Sequence, residues 1–278
     1  MSSVLEKAFS IIELLVEHPA GLPVSAISAH TGQPISGVHR MLHELIRLGY
    51  VRQLHDGGDY ALSIKLSALG LGFLGRAGIT DVAQPILDRL AGASSELIRL
   101  SVIDGRKLTW VAVAQGTTRG LRYDPGQEQG VVVHLATSSG GRAWLASMSD
   151  EAALELVGAQ GFARDGGPAP AQASKPMGVT DLLEILAQTR KRGYAVAVDT
   201  YLLGMAAMAM TVRYHGDGPV LGCLSIAGPA VRMGPDRMEE LAPLLRAAAD
   251  ELGYAASGSH YFAATMKALG NAPGRKAG

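Results

Sequence analysis

Residues 22–43, LPVSAISAHTGQPISGVHRMLH, decide the fold expected for the first part of this 278-residue chain. The stretch predicts a short helix, a tight turn and a second helix. Thr31-Gly32 is suited to end the first helix, because glycine tolerates the left-handed conformation that a helix end often needs. Pro34 suits the first turn of the second helix. In that helix Val38, Leu42 and Leu45 recur at i, i+4 and i+7, which predicts its buried face.

The second helix leaves small and polar side chains on its other faces. Small residues let a backbone approach the groove of a DNA duplex, and Arg and Ser donate hydrogen bonds to phosphates or base edges. A buried helical hairpin with a solvated face fits the same pattern equally well. If the helix binds DNA, the expected contacts are Gln33, Ser36, Gly37, His39, Arg40 and His43.

A small β-hairpin is expected directly after this helix. The segment 47–51 ends the helix and begins a strand, residues 56–59 (DGGD) supply the positive φ of a hairpin turn, and residues 60–62 return as the second strand. Upstream, an apolar stripe predicts a first helix that stops before Pro19: Val4, Ala8, Ile11 or Ile12, and Leu15. Together these elements predict a winged helix-turn-helix, mainly α with a small β wing, in which Arg52 of the wing is a further DNA contact.

The rest of the chain predicts an α+β domain with an antiparallel sheet. Residues 63–78 carry too many apolar side chains for one narrow stripe, which favours a linker helix that also packs against a partner subunit; a helix buried in its own domain is the alternative. The expected domains are 1–63, a linker helix over 64–78, 79–254 and a tail over 255–278. Further helices are expected over 81–93 (capped by Thr80 or Asp81), 138–147, 151–158, 181–192, 235–252 and 261–269. Strands are expected over 96–104, 107–116, 120–123, 194–200, 206–214 and 219–227, with a loop over 161–178.

Several motifs make the chain resemble an IclR-type transcriptional regulator. Their order and spacing agree over roughly residues 4–254: VLEKA (4–8), GLPV (21–24), TGQPIS (31–36), VHRML (38–42), LGYV (48–51), GRAWLA (141–146), RKRGYAV (190–196) and LSIAGP (224–229). The resemblance implies an N-terminal winged helix, a linker helix and a C-terminal ligand-binding domain related to GAF domains. It also implies dimers or dimers of dimers, a double-stranded DNA operator and a small-molecule effector, with no cofactor or metal.

The composition supports a globular protein but gives no indication of nucleic-acid binding. Hydrophobic residues make up 47% of the chain, which supports a sizeable core, and the net charge is zero. The first 65 residues hold five basic and six acidic residues, so DNA affinity would depend on a few placed contacts, helix N-termini and paired modules. A single cysteine, Cys223, excludes an internal disulfide framework and is interpreted as an inert core residue. No signal peptide or bilayer-spanning stretch is evident, which predicts a cytoplasmic protein.

A ligand site is expected where residues 137–141 (TSSGG) precede a helix. Free N–H groups at a helix start, flanked by hydroxyls, favour a carboxylate or similar acceptor, although an ordinary helix cap has the same pattern. We expect the polar end of the effector at Ser138, Ser139, Gly140 and Gly141. The family resemblance adds Asp199, Met205, Ala207 and Ser225, and the apolar body of the effector is expected on Leu135, Met205, Ala207 and Ala227.

The chain departs from family members that bind small keto acids. Those proteins tend to have an acidic residue at the position of Ala197, often Cys at Ala207, and a second Ser at Ala227. Each change makes the site less polar, and Met205, Met208 and Met210 add adaptable apolar surface. We therefore expect a bulkier, aromatic effector with a carboxylate or carbonyl group, rather than a glyoxylate-like one, sensed by a regulator of a catabolic operon.

Two other functions remain open at this point. A hydrolase is conceivable because SSGG (138–141) is similar to the serine-glycine stretch of amidases, but their other catalytic pieces are not evident, Ser225 lacks the glycines of a nucleophile elbow, and His134 and His215 have no metal-ligand spacing. No enzyme activity is therefore expected. The other alternative is a small-molecule sensor that acts through protein contacts, which the neutral first module allows.

Overall fold

The computed structural model describes residues 3–55, 57–116, 120–122, 129–163 and 177–270. The chain divides into two compact units, Met1–Arg76 and Ala77–Gly278.

Unit 1 is the expected winged helix. Its helices are α1 (Val4–Glu17), α2 (Val24–Thr31) and α3 (Ile35–Arg47); an antiparallel hairpin of β1 (Val51–Gln53) and β2 (Tyr60–Leu62) follows, and then α4 (Lys65–Ala77). The predicted apolar face of α3 is confirmed, since Val38, Leu42 and Leu45 are all buried. They pack in one cluster with α1 and α2, so the residues whose spacing predicts the helices also form the core of unit 1.

The helix ends of unit 1 follow local chemistry, with two corrections. Gly32 ends α2 in the left-handed conformation, with φ of 65°, as predicted. Pro34 precedes α3 as its N-cap instead of lying in its first turn. Val4 was expected in the buried stripe of α1, but it is 63% exposed, because it lies in the first turn beyond the reach of the core.

Unit 2 is built on a five-stranded sheet in which every neighbouring pair is antiparallel. The strands are β3 (Leu97–Asp104), β4 (Lys107–Gln115), β5 (Ala195–Val198), β6 (Met205–Arg213) and β7 (Val220–Pro229), in the order β4-β3-β7-β6-β5. The predicted α+β domain with an antiparallel sheet is confirmed. Because β7 lies beside β3, residues more than 120 positions apart in sequence become direct neighbours.

Helices cover both faces of this sheet. One face packs against α5 (Ile79–Ser94) and α9 (Pro235–Ala255). The opposite face packs against α6 (Ser139–Ala146), with α7 (Asp150–Gln160) and α8 (Val179–Arg192) beside it. Two buried apolar clusters result, one on each face of the sheet, because strand side chains alternate between the faces.

Two sequence-based expectations for unit 2 need correction, and a third lies largely outside the described residues. Residues 120–122 form no strand, and Tyr123 lies outside the described residues. Neither Thr80 nor Asp81 caps α5, because the helix already begins at Ile79, after Gly78 with φ of 68°. The predicted loop at 161–178 lies largely outside the described residues, and α8 begins at Val179.

The helix expected over 261–269 is present in the described part of the tail. A 3₁₀ turn (Ala256–Gly258) leads into α10 (His260–Gly270). The Ser259 hydroxyl donates to the Ala77 carbonyl at 2.8 Å, and Phe262 is buried. The start of α10 is therefore anchored to the first residue of unit 2.

Candidate functional site

Helix α3 presents a polar, exposed face opposite its buried one. Ser36, His39, Arg40 and His43 are exposed there, and Gly37 is half-buried with no atom near enough to crowd it. These five predicted residues therefore occupy the accessible side of the helix. A helix with an accessible polar face and a small residue in its first turn has the shape needed to enter a major groove.

The charges on this face are unequal. Arg47 forms an exposed ion pair with Glu44, at 2.8 Å. Among the described residues, no carboxylate lies within ion-pairing distance of Arg40. Arg40 is thus the cation of α3 best placed to meet a phosphate or a base edge. Arg52, the predicted wing contact, is exposed on β1.

Gln33 does not fit its predicted role as a DNA contact. Its side chain is buried, and Nε2 donates to the Lys7 carbonyl at 3.1 Å and to Ser10 Oγ at 3.0 Å. Both partners lie on α1, so the amide ties the turn before α3 to the first helix. The position of Gln33 just before α3 predicts a DNA contact. Its amide instead hydrogen-bonds to two residues that lie 26 and 23 positions earlier in the sequence.

In unit 2 a cavity lies between the N-terminus of α6 and the sheet. Seven of the ten predicted effector residues line it: Ser138, Ser139, Gly140, Met205, Ala207, Ser225 and Ala227. Six further lining residues were not predicted as effector contacts: Arg99, Trp110, Ala197, Tyr201, Leu202 and Ala206. The three segments on which the prediction was based, 137–141, 205–207 and 225–227, therefore meet at one place.

Three alanines form the floor of the cavity. Ala197 pairs with Ala207 across β5 and β6, and Ala207 pairs with Ala227 across β6 and β7. Residues directly opposite each other in an antiparallel sheet project on the same face, so these side chains lie in a row. The row gives the cavity an apolar base.

The first turn of α6 forms the polar wall. Ser138 is the N-cap: its Oγ accepts a hydrogen bond from the Gly141 N–H at 3.0 Å and donates to the His134 carbonyl at 2.7 Å. The ordinary capping interpretation is therefore correct for Ser138. The same turn still supplies the Ser139 hydroxyl and the positive end of the helix dipole, both of which favour an anion or a carbonyl oxygen.

Sequence reasoning missed a charged group in the cavity. Arg99, in the middle of β3, is 5% exposed, and its guanidinium lies 4.8 Å from the centre of the Trp110 ring. Among the described residues that line the cavity, Arg99 is the one that carries a charge. The signal was present in the sequence, because Arg99 is the single charge within a largely apolar stretch (LIRLSVI, 97–103). Trp110 and Tyr201 had no comparable signal.

Three predicted effector residues do not line the cavity. Leu135 is buried in the apolar cluster of the α6 face. A Cβ at Gly141 would overlap the backbone of Leu135, so this glycine permits close packing between the two segments. Asp199 has φ of 55° and accepts a hydrogen bond from the Gly204 N–H at 2.6 Å, which shapes the loop between β5 and β6.

A second buried cation holds two walls of the cavity together. Arg142 of α6 donates from Nε to the Ala136 carbonyl at 2.8 Å and from Nη1 to the Val196 carbonyl at 2.7 Å. Its burial lowers the pKa of the guanidinium to about 10, so the side chain stays protonated at neutral pH. Arg142 thereby links the segment before α6 to β5, the strand that carries Ala197.

The cavity is small in this structure. Its volume is about 30 Å³, space for one or two water molecules. Tyr201 and Leu202, from the loop 199–204, line one side of it, and the Tyr201 ring lies edge-on to Trp110 at 5.4 Å. An aromatic ligand needs more space than the cavity offers in this structure.

The remaining chemical candidates are Cys223 and the residue types that bind metals. Cys223 is buried, and its burial strongly raises the pKa of the thiol, which keeps it protonated and inert, as expected. Among the described residues, no group of three or more His, Cys, Asp or Glu side chains could hold a metal ion. No helix in the described part of the chain is long and apolar enough to cross a membrane.

Two protein-family profiles match this chain. Residues 4–55 match the IclR helix-turn-helix domain, and residues 72–254 match the bacterial transcriptional regulator IclR C-terminal domain. The transcriptional repressor IclR of Escherichia coli is 28% identical over 255 residues, which cover 91% of this chain and 90% of that protein. The Pca regulon regulatory protein of Pseudomonas putida is 27% identical over 250 residues, covering 89% and 82% respectively.

A solved structure has the same fold. It is an IclR homologue from Microbacterium hydrocarbonoxydans complexed with 4-hydroxybenzoate, with a TM-score of 0.71 and 20% identity. The match covers 92% of this chain and all of that one.

Proposed function

The chain belongs to the IclR family of ligand-responsive transcriptional regulators, and we propose that it controls a catabolic operon in response to a small aromatic effector bound beside α6. The family consists of transcriptional regulators, so the hydrolase alternative is not retained. The observation that carries the proposal is the cavity in unit 2. It joins an apolar floor of three alanines to a polar wall at a helix N-terminus, which matches a ligand with an aromatic body and a carboxylate or carbonyl end.

Two features favour an aromatic ligand over a small keto acid. Ala197, Ala207 and Ala227 offer no hydrogen bonds, so a second polar group of a small ligand would be buried without a partner. Met205 adds an adaptable apolar side chain at the edge of the site. The fold neighbour that holds 4-hydroxybenzoate is an independent precedent for a ligand of this class in the same fold.

The proposed ligand requires the cavity to widen. An apolar cavity of about 150 Å³ accommodates benzene, about five times the 30 Å³ available here. The loop 199–204 is the element that moves, because Leu203 is 60% exposed, Leu202 is 36% exposed and Gly204 has φ of 76°. Displacing Tyr201 from Trp110 would change the environment of that indole, so ligand binding should alter tryptophan fluorescence.

For DNA, we propose that α3 enters the major groove and that Arg52 contacts the backbone from the wing. Base or phosphate contacts come from Ser36, Gly37, His39, Arg40 and His43. Paired modules would bind a pseudo-palindrome with half-sites about 34–36 Å apart, or a multiple of that distance.

The proposed assembly is a dimer, or a dimer of dimers, formed through unit 1. Leu5, Phe9 and Val16 are exposed on α1, and Leu71 and Phe73 are exposed on α4. Apolar side chains this large are seldom exposed together on one small module unless another surface covers them.

A ligand screen by thermal unfolding, combined with a salt-dependent gel shift on DNA fragments upstream of neighbouring genes, tests the proposal. We expect an aromatic acid to raise Tm and to change the amount of shifted DNA. DNA binding that weakens steeply with salt supports a DNA regulator. A chain that binds glyoxylate or pyruvate more tightly than any aromatic compound would contradict the proposed effector class, and absence of DNA binding would favour a sensor that acts through protein contacts.

A further inference from the structure

We propose that the C-terminal helix α10 acts as a strap that fixes the chain at Gly78, where α4 gives way to α5, and so stiffens the connection between the DNA-binding and effector-binding units. The inference rests on the proposed function only for its consequence in DNA binding. It gives a role to residues 256–267, which follow the segment 72–254 matched by the IclR C-terminal domain.

The connection between α4 and α5 is a single residue. Helix α4 ends at Ala77 and α5 begins at Ile79, so Gly78 alone separates them. Its φ of 68° and ψ of 21° lie in the left-handed region, which glycine enters and leaves without the steric cost that other residues have. A change in two dihedral angles would therefore redirect the chain. Such a junction acts as a hinge unless neighbouring groups hold it.

The Ser259 hydroxyl bonds to both helices that α10 would hold together. It donates to the Ala77 carbonyl at 2.8 Å and accepts a long hydrogen bond from the Phe262 N–H, at 3.4 Å. The last carbonyls of a helix have no partner within that helix, and here one at the end of α4 is bonded by the residue that precedes α10. Because Ser259 is 1% exposed, water does not readily replace these bonds.

The start of α10 also packs directly on the junction. The Cα of Ser259 lies 3.5 Å from the position that a Cβ at Gly78 would take, and the Gly258 carbonyl oxygen lies 3.7 Å from it. These are ordinary van der Waals distances. A rotation at Gly78 that moves Ala77 would break the bond to Ser259 and disturb this packing.

Phe262 anchors the strap in an apolar pocket on the sheet face that packs against α5 and α9. Its side chain is buried and lines a small cavity with Ile79 and Val82 of α5, Leu100 of β3 and Leu221 of β7. The space left is about 20 Å³, enough for about one water molecule, so the ring itself fills the pocket. Helix α10 has 11 residues, too few for a helix that is stable alone in water. Its helical form therefore depends on this contact.

A fixed junction favours binding by paired DNA-binding units. Two modules held in one oligomer bind adjacent half-sites more tightly when fewer orientations are lost on binding. Releasing α10 should therefore weaken DNA binding although no residue of α3 or of the wing is altered. A helix that only adds stability to unit 2 would not have this effect.

The test compares two serines of the same segment. Ser259→Ala removes the bond to Ala77, whereas Ser257→Ala removes an exposed hydroxyl that donates to the Tyr254 carbonyl at 2.9 Å. Hydrogen exchange is followed by mass spectrometry in the full chain, for a peptide that contains residues 77–86. We expect Ser259→Ala to speed exchange in this peptide by about tenfold, the effect of one lost buried hydrogen bond, and Ser257→Ala to change it by less than about twofold.

Phe262→Ala releases the strap by a second route, because it empties the pocket. It should speed exchange over 77–86 at least as much as Ser259→Ala. Phe162→Ala is the matched control, since Phe162 is partly buried against the apolar cluster on the α6 face of the sheet, and it should leave this exchange unchanged. Thermal unfolding checks that each variant is folded, and Phe262→Leu replaces Phe262→Ala if that variant does not fold.

The DNA arm uses a gel shift on fragments upstream of neighbouring genes. Ser259→Ala and Phe262→Ala should each bind at least about threefold more weakly than the unaltered protein. Unchanged exchange over 77–86 in both variants would overturn the strap, and faster exchange with undiminished DNA binding would overturn its role in DNA binding. If the unaltered protein binds no DNA, the proposed function is wrong, and the exchange measurement alone decides whether α10 fixes the chain at Gly78.

Discussion

Filling the cavity at Ala207 should abolish the response to aromatic ligands without harming the rest of the protein. Ala207 lies in the middle of the alanine floor, between Ala197 and Ala227, and is only half-buried. Ala207→Leu adds three carbon atoms to a space of about 30 Å³. No room for an aromatic ring remains, whereas the leucine can extend outward because the position is half-exposed.

The magnitudes follow from this geometry. Overpacking a well-packed core costs about 1–3 kcal/mol, and the half-exposed position places Ala207→Leu near the lower end. A ligand at a hundred times its Kd stabilises the unaltered protein by about 2.7 kcal/mol, which for a domain of this size raises Tm by about 5–10 °C. The variant should lose this entire shift and keep its DNA affinity within about twofold.

The assay is thermal unfolding with the aromatic acid that gives the largest shift, beside a gel shift for DNA. Ala242→Leu is the matched control, since Ala242 is also half-buried but lies on α9, on the other face of the sheet. The control should keep the ligand-induced shift. If Ala207→Leu keeps it too, the ligand binds elsewhere and the proposed site is wrong.

Three further predictions concern DNA binding, assembly and the C-terminal helix. Arg40→Ala should weaken operator binding by about 1–3 kcal/mol if Arg40 contacts a base. Arg47→Ala removes a charge already paired with Glu44, so it should weaken binding less. Equal losses of DNA affinity in a gel shift would contradict the role of Arg40 as a DNA contact. Phe9→Ser, at a side chain 56% exposed on α1, should lower the mass measured by light scattering toward the 29.0 kDa monomer, and an unchanged oligomer would place the interface elsewhere. Phe262→Ala should loosen α10 from the Ala77 region and speed tryptic cleavage after Arg76, which mass spectrometry can follow. An unchanged cleavage rate would show that α10 does not restrain the chain at Arg76.

Most of unit 1 was predictable because its signals are local. Apolar spacing identifies the buried face of α3, Gly32 ends α2, and the glycines at 57 and 58 mark the wing. Two predictions for unit 1 were wrong because they depend on the tertiary structure. The Gln33 side chain bonds to α1 instead of facing DNA, and Val4 is exposed because the first turn of α1 lies outside the core.

The candidate site was predictable only in part. The segments around Ser138, Ala207 and Ser225 were identified, and the structure brings them together. Asp199 and Gly141 were predicted as effector contacts but have structural roles. Asp199 accepts a hydrogen bond within the loop between β5 and β6, and Gly141 permits close packing against the backbone of Leu135. Arg99 was not predicted as a lining residue. A single charge in an apolar strand indicates a buried ion, but it does not indicate which cavity the side chain faces.

The sequence by itself determined the types of element, the winged helix and the family, since helical and strand periodicities and turn residues depend on neighbours a few positions away. The tertiary structure decided what the cavity contains. Arg99, Ser138 and Ser225 meet because β7 inserts between β3 and β6 and α6 packs on the same face. Strand order and register are set by the packing of the whole sheet against its helices, and no local pattern in the sequence specifies them.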